Sequence, residues 1–237
     1  MMSETILKLS HLQKGYRNFP VLKDVSFQLS RGHILGLIGK NGAGKTTMMK
    51  TILGLNRGYQ GQIEFDGAPL KTDDPDTRKR IGSLVDVIFY EDMSARRNLK
   101  LLAMLDGVLS PKEANQKIDE LLEFVGLSGS AGKSVRTFSF GMKQRLALAQ
   151  ALLTSPDLLI LDEPFVGLDP VGIEDTKSLL LSLSREQGVS IIFSSHQLTE
   201  VCSLADDIVV LADGKIRLAD TYANIKNSGV SFIDLLR

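Results

Sequence analysis

The sequence predicts an α/β fold in which a helical subdomain is inserted into a core of strands and helices. Residues 6–9 and 25–29 alternate apolar and polar side chains, as half-buried strands do. The segment Leu158–Leu161 is apolar throughout, which is typical of a strand covered on both faces. Between these segments, at about 87–155, the pattern changes to helical periodicity. The 237 residues therefore suit a single unit, with a core at 1–86 and 156–237.

Before the insertion, the core elements are short and separated by turn signals. Strands are predicted at 34–38, 61–65 and 81–85, and a helix is predicted at 46–55. Asp66 and Gly67 form a dipeptide that is typical of a tight turn between strands. Asp86 stands at the end of the third strand, where the chain enters the insertion.

Three helices are predicted in the insertion. They cover 98–105, a segment that begins at Ser110 and ends before Gly126, and a segment from about Ser139 to Leu153. Ser110 is predicted to be the N-cap of the second helix. Pro111 follows at the first helical position, and Glu113 completes a capping box with the serine.

After the insertion the core pattern resumes. Asp169 and Pro170 predict the N-cap and first position of a helix at about 171–187, and a buried strand follows at 190–194. Asp213 and Gly214 separate two apolar runs and predict a hairpin. A short amphipathic helix is expected to close the chain.

Composition limits the function classes. Lys plus Arg and Asp plus Glu both number 28, so the formal net charge is zero, and we expect no nucleic-acid partner. Cys202 is the only cysteine, which excludes an intrachain disulfide framework. No apolar run approaches the roughly 20 residues that span a bilayer, and the N-terminus lacks the pattern of a secretory signal. We expect a soluble, intracellular protein whose membrane role depends on a partner.

Residues 39–46 read GKNGAGKT and match the phosphate-binding loop known as Walker A. The expected strand before the loop and helix after it are the context that this motif needs. Glycines let successive N–H groups surround an anion, and the helix dipole adds positive charge. Lys45 can reach the β- and γ-phosphates, and the Thr46 hydroxyl can bind Mg²⁺. We expect nucleoside triphosphate contacts from Gly39, Asn41, Gly42, Gly44, Lys45, Thr46 and Thr47.

Two acidic residues follow the apolar strand at Leu158–Leu161. Asp162 stands where a Walker B aspartate binds Mg²⁺, directly or through water. Glu163 comes next and can polarise the water that attacks the γ-phosphate. Tyr16 is expected in a loop between two strands, ahead of the phosphate loop. From its position alone, it could either stack on a purine or pack under the sheet edge.

The chain resembles an ABC-type ATPase cassette over essentially its whole length. The resemblance is carried by Walker A, by FSFGMKQR at 138–145, by the strand leading to Asp162, by GLDP at 167–170 and by Ser195 followed by His196. It implies a P-loop NTPase core with an ABC-type antiparallel β subdomain and an inserted helical subdomain. ATP and Mg²⁺ are the implied cofactors, and a homodimer is implied in the ATP-bound state.

The resemblance also implies residue roles. Tyr16 matches the aromatic residue that stacks on adenine, and His196 matches the switch histidine that helps to hold the attacking water. Ser139 and Gly141 match the ABC signature, which contacts the γ-phosphate bound by the opposite subunit. Such a contact suits an uncapped helix start, which attracts anions. Asp169 matches the D-loop aspartate at the dimer interface.

The chain departs from the family pattern at two places. The usual signature is LSGGQ, and Phe138, Phe140 and Met142 differ from it. The family usually has glutamine at the position of Asp86, where it touches Mg²⁺ and the attacking water and relays the nucleotide state to the membrane partner. Aspartate is shorter and anionic, and it could still reach the metal through water.

An acid at position 86 and the signature SFGMKQR are similar to ATPases of bacterial exporters that remove bacitracin and lantibiotics. We therefore expect an ATP-hydrolysing subunit, peripheral to the inner face of the cell membrane in the cytoplasm, that powers export through a separate integral membrane permease. A soluble ABC ATPase of cofactor assembly is the alternative. A non-hydrolytic regulatory cassette is disfavoured because Lys45, Asp162, Glu163 and His196 are all present.

Overall fold

The computed structural model of the chain describes residues 4–17, 19–105, 111–229 and 232–235. Within these ranges ten strands form one sheet. The strands are β1 Thr5–Tyr16, β2 Phe19–Ser30, β3 Ile34–Ile38, β4 Gln60–Phe65, β5 Ala68–Pro69, β6 Ile81–Leu84, β7 Leu158–Leu161, β8 Ser190–Ser195, β9 Asp207–Ala212 and β10 Lys215–Thr221.

The helices fall into the two groups that the sequence predicts. Those of the core are α1 Lys45–Ile52, α2 Pro75–Lys79, α6 Pro170–Arg185, α7 Leu198–Leu204, α8 Tyr222–Ser228 and α9 Phe232–Leu235. Those between β6 and β7 are α3 Ala95–Leu105, α4 Pro111–Phe124 and α5 Phe140–Ala151, with 3₁₀ turns at Ser128–Ser130 and Val135–Thr137. The predicted N-cap Ser110 lies outside the described residues.

The sheet has a parallel half and an antiparallel half. The strand order is β5-β4-β1-β2-β10-β9-β3-β8-β7-β6. Strands β9, β3, β8, β7 and β6 run parallel, so the carboxyl ends of β3, β7 and β8 meet at one edge. Ligands of open α/β sheets bind at such an edge. Strands β5, β4, β1 and β2 are antiparallel and join the rest through one bridge between β2 and β10.

Apolar side chains cover both faces of the parallel strands, which explains their uniform hydrophobicity. On β7, Leu158 and Ile160 join Met48 and Met49 of α1 in one core cluster. Leu159 and Leu161, which alternate with them, face a second cluster that contains residues of α5, α6 and α7. The predicted α/β fold with helices inserted between β6 and β7 is confirmed.

Candidate functional site

The loop between β3 and α1 ends in a helix start that has no side-chain cap. Gly44 is the N-cap residue, with φ of 111°, and it makes no side-chain hydrogen bond to the helix. Only glycine adopts this backbone conformation without strain. In contrast, Ser139, Asp169 and Thr221 cap α5, α6 and α8 with their own side-chain oxygens. The first N–H groups of α1 are therefore available to an external anion.

The Lys45 ammonium lies inside the phosphate loop. Its Nζ donates a hydrogen bond of 2.6 Å to the carbonyl oxygen of Gly39 and lies 3.5 Å from Oε1 of Glu163. The side chain is 6% exposed, so its charge is screened little by water. Asn41 and Gly42 are exposed on the loop, and Thr47 is half-buried in the first turn of α1.

Asp162 is held from two sides at the end of β7. The Thr46 hydroxyl donates a hydrogen bond of 2.6 Å to Oδ2, and the Ser194 hydroxyl donates one of 2.6 Å to Oδ1. The Ser194 oxygen also accepts a hydrogen bond of 2.8 Å from the backbone N–H of Glu163. Ser194 therefore positions both acidic residues, which the sequence analysis missed. The available signal was a hydroxyl near the end of an apolar strand, two residues before His196.

Glu163 and His196 meet beyond the ends of β7 and β8. Nδ1 of His196 lies 2.9 Å from Oε2 of Glu163, within hydrogen-bond distance. The backbone of Glu163 has φ of 48°, a left-handed conformation that is uncommon for a residue with a side chain. The Glu163 carboxylate contacts His196 through one oxygen and Lys45 through the other. The lysine of Walker A, the two acids after β7 and the histidine after β8 thus lie at one edge of the sheet. They are Lys45, Asp162, Glu163 and His196.

Asp86 lies just after β6, as predicted, and forms an ion pair with Lys50 of α1. The carboxylate oxygen Oδ2 is 2.5 Å from Nζ of Lys50. The hydrogen bond that the Lys50 ammonium donates to this carboxylate raises the pKa of Lys50, and the negative charges of Asp86 and Asp162 add to the increase against the effect of burial. This ion pair links α1 to the residue at which the chain enters the inserted helices. The sequence analysis did not identify this lysine, which comes five residues after Lys45.

The signature residues line a separate groove of about 580 Å³ with Asp169. Ser139 and Gly141 stand at the start of α5, and Asp169 caps α6 by accepting a hydrogen bond of 2.7 Å from the N–H of Gly172. The expectation of an uncapped helix start at the signature is wrong, because Ser139 Oγ accepts a 3.3 Å hydrogen bond from the N–H of Met142. This hydroxyl is exposed, and therefore an incoming anion can compete for it.

Tyr16 does not lie in a loop, and that expectation is also wrong. It is the last residue of β1 and pairs with Phe19, the first residue of β2. Antiparallel pairing extends the two strands beyond the segments with clear alternation. The tyrosine side chain is 45% exposed, which contradicts packing under the sheet edge. Its hairpin lies beside the phosphate loop, since Val21 and Leu22 of β2 lie close to Gly44.

In the part of the chain that the structure describes, no helix has the length and apolar character needed to cross a membrane.

The family model described as "ABC transporter" matches residues 22–166 of the chain. This range runs from β2 through the phosphate loop and the inserted helices to the segment after Glu163. It covers more than half of the 237 residues.

Two curated relatives extend the similarity over nearly the whole chain. The bacitracin transport ATP-binding protein BcrA of Bacillus licheniformis is 39% identical over 97% of this chain and 74% of its own length. The lantibiotic transport ATP-binding protein SrtF of Streptococcus pyogenes is 40% identical over 94% of this chain and 93% of its own length.

Solved structures of similar proteins have the same fold. An ATP-binding subunit of an ABC transporter is 33% identical, with a TM-score of 0.84 and 98% of each chain covered. The protein cbiO1 of Clostridium perfringens, part of the ABC transporter complex cbiONQ, is 28% identical, with a TM-score of 0.84 and coverage of 95% of this chain and 92% of that one. The chain belongs to the ABC transporter family, as an ATP-binding subunit that hydrolyses ATP to power transport.

Proposed function

We propose that the protein powers the export of a peptide antibiotic of the bacitracin or lantibiotic type through a separate membrane permease. The observation that carries the proposal is the similarity, at 39% and 40% identity, to two transport proteins for such compounds over 97% and 94% of the chain. The acid at position 86 agrees with the same subgroup. We also propose that residues at about 87–155 form the helical subdomain of one cassette that spans 1–237.

ATP binds, in this proposal, across the edge of the sheet where β3, β7 and β8 end. The uncapped start of α1 provides N–H groups for the phosphates, and Gly39, Asn41, Gly42, Gly44 and Thr47 shape or complete that loop. Lys45 pairs with the β- and γ-phosphates and exchanges its contact with Glu163 for them. The exposed ring of Tyr16 stacks on adenine, because its hairpin lies next to the phosphate loop.

The residues around Asp162 suit Mg²⁺. A carboxylate and the Thr46 hydroxyl lie 2.6 Å apart, and both are the hard oxygen donors that this ion prefers. Among the described residues, no group of three or more His, Cys, Asp or Glu side chains could hold a metal by itself. This agrees with an ion that keeps waters and takes substrate phosphates as ligands. When bound, Mg²⁺ would neutralise phosphate charge. Asp86, which pairs with Lys50, is a further proposed contact through water.

Glu163 is the proposed general base of hydrolysis. Its carboxylate accepts a proton from the attacking water, the water oxygen bonds to the γ-phosphorus, and the bond to the bridging oxygen of ADP breaks. His196, at 2.9 Å, orients the carboxylate and contacts the γ-phosphate. Once Lys45 has turned to the phosphates, His196 still holds the glutamate in one orientation, which lowers the entropic cost of reaching the transition state.

The second half of the ATP site comes from another copy of the chain. Ser139, Gly141 and Asp169 line one groove at two helix N-termini, and this groove contains none of the phosphate-loop residues. A homodimer in the ATP-bound state joins the Ser139 region of one subunit to the phosphate loop of the other. Closure of this dimer brings the helical subdomains together and moves the permease. Hydrolysis of ATP returns the dimer to its open state.

The permease is proposed to dock where the core meets the inserted helices. A groove of about 270 Å³ lies there, lined in part by Leu55, which follows α1, and Leu102 of α3. Ile88 and Tyr90, in the segment between β6 and α3, are exposed at 86% and 59%. Two large apolar side chains exposed within one short segment form a candidate interaction site beside the inserted helices. A membrane permease that presents a short amphipathic segment would cover them.

The test is affinity purification of the tagged protein from gently solubilised membranes, with companions identified by mass. An integral membrane partner of several spans supports the proposal and narrows the cargo to that partner's specificity. Recovery with soluble companions only would overturn it and favour the cofactor-assembly alternative. Ile88→Asp should lose the membrane partner, whereas Lys226→Asp, at an exposed position of α8, should retain it.

A further inference from the structure

Lys14 is a buried cation whose partners are neutral. The residue is 7% exposed, and its Nζ donates hydrogen bonds to the backbone carbonyl oxygens of Arg57 at 2.5 Å and Gly58 at 3.3 Å. Among the described residues, no carboxylate lies within 4.0 Å of this ammonium. Burial of an ammonium is unfavourable unless nearby groups compensate its charge. Removal of the Lys14 charge from water is therefore unfavourable, and the two carbonyl oxygens keep the ammonium buried in spite of it.

The Lys14 ammonium also lies on one face of the Tyr16 ring. Nζ is 4.9 Å from the ring centroid, within the range of a cation–π interaction. The two residues are two positions apart on β1, so their side chains can share one face of the strand. With one ring face against the ammonium and the side chain 45% exposed, the tyrosine offers its other surface to solvent.

Lys14 further connects the hairpin to the end of the phosphate-binding helix. Arg57 and Gly58 lie in the segment that follows α1, and α1 begins at the phosphate loop. The two hydrogen bonds from Lys14 therefore link the ring of Tyr16 to the element that binds phosphate. A nucleotide that contacts the Tyr16 ring and the phosphate loop at the same time needs a fixed distance between them.

We propose that Lys14 is a positioning residue for the base-binding face of Tyr16 and so contributes to recognition of the nucleotide base. The inference rests on the proposed function, in which Tyr16 stacks on adenine. The ammonium restricts the ring to one orientation before ATP arrives, so less conformational entropy is lost on binding. Its charge also polarises the ring, which strengthens stacking of an electron-rich purine on the exposed face.

The experiment compares two ligands on the full chain: ATP, and inorganic tripolyphosphate, which lacks the base. Lys14→Met keeps the unbranched side chain, one atom shorter, and removes the charge. We expect affinity for ATP to fall about three- to tenfold, with unchanged affinity for tripolyphosphate and unchanged kcat at saturating ATP. Lys14→Arg should restore ATP affinity, because a guanidinium also binds carbonyls and ring faces. Lys8→Met, at an exposed position on the same strand, is the matched control.

Tyr16→Ala separates failure of this inference from failure of the proposed base contact. Tyr16→Ala alone should weaken ATP and not tripolyphosphate, and adding Lys14→Met to it should change neither affinity further. If Lys14→Met weakens ATP equally in the Tyr16→Ala background, or weakens both ligands equally, the positioning role is overturned while the stacking role of Tyr16 stands. If Tyr16→Ala leaves ATP affinity unchanged, the base contact itself is wrong, and the inference fails with it.

Discussion

Glu163 and His196 lie within hydrogen-bond distance, 2.9 Å between Oε2 and Nδ1, although 33 positions separate them in the chain. Their strands explain the meeting: β7 and β8 are parallel neighbours, with Leu161 beside Phe193, so both side chains leave the sheet at the same edge. Lys45 reaches the other carboxylate oxygen from α1, at 3.5 Å. This arrangement holds the carboxylate by a cation on one side and an imidazole on the other.

Replacement of Glu163 by glutamine tests the proposed general base. The amide keeps the size of the side chain but cannot accept the proton from water. We expect Glu163→Gln to bind ATP, to lose at least about 10²-fold in kcat, and to accumulate as an ATP-bound dimer. A steady-state ATPase assay and size-exclusion chromatography with ATP measure both effects. Glu174→Gln on the exposed surface of α6 is the control, and unchanged turnover in Glu163→Gln would remove this residue from the role of base.

Ser194 is expected to matter through the two acidic residues that it holds. Ser194→Ala removes the hydrogen bond to Asp162 and the acceptor for the Glu163 N–H. We expect kcat to fall about tenfold and the Mg²⁺ concentration for half-maximal activity to rise. Ser190→Ala on the same strand also removes a buried hydroxyl, which accepts from the N–H of Gly32, and should leave the Mg²⁺ dependence unchanged. An equal effect of both variants would mean that Ser194 only supports the fold.

We expect the ion pair of Lys50 and Asp86 to couple ATP hydrolysis to the permease more than to support ATP binding. Asp86→Ala frees Lys50 and removes the acid at the entrance to the inserted helices. We expect the variant to lower permease-stimulated turnover more than nucleotide affinity, and Lys50→Met to behave in the same way because it breaks the same pair. ATPase assays with and without the permease, together with filter binding, measure the two quantities. Equal loss of both quantities would refute the coupling role.

Asp66 is expected to contribute stability that depends on pH. A hydrogen bond from Arg80, opposed by burial and aided by the charges of Arg80 and Arg31, lowers the pKa of this carboxyl below its ordinary value of 3.8. The unfolded chain therefore takes up the proton first as the pH falls. Stabilisation is fully present above the ordinary pKa and is lost as the pH falls through the lower pKa of the folded state.

Asp66→Asn should consequently lower the free energy of unfolding by about 1 kcal/mol at pH 7, a modest value because both ion pairs are partly exposed. Asparagine also tolerates the left-handed backbone at this turn, where φ is 54°. Thermal unfolding between pH 7 and about pH 3 measures the difference, which should shrink as acid is added. Asp76→Asn, at a more exposed acid on α2, should show no such trend. A difference that is constant with pH would contradict the ionic explanation.

Local patterns predicted much of the fold and most of the site residues. The uninterrupted apolar run of β7, the glycines before α1 and the cap Asp169 each reflect interactions within a few residues of themselves. Walker A and the two acids after β7 were recognisable because chemistry demands those residue types at those spacings. The length of β1 could not be predicted in this way. Pairing with β2 continues the strand as far as Tyr16, past the residues that alternate between apolar and polar.

Local composition is enough to predict which elements form and which residue types surround a phosphate loop, since backbone conformation and burial follow it. Three contacts become visible only when the whole chain is folded: Ser194 holds Asp162, Lys50 pairs with Asp86, and Lys14 lies under Tyr16 and against Arg57. Most of these contacts join residues tens of positions apart, and they depend on the order and register of strands in the sheet. Register is set by the packing of both faces at once, and no short segment carries that information.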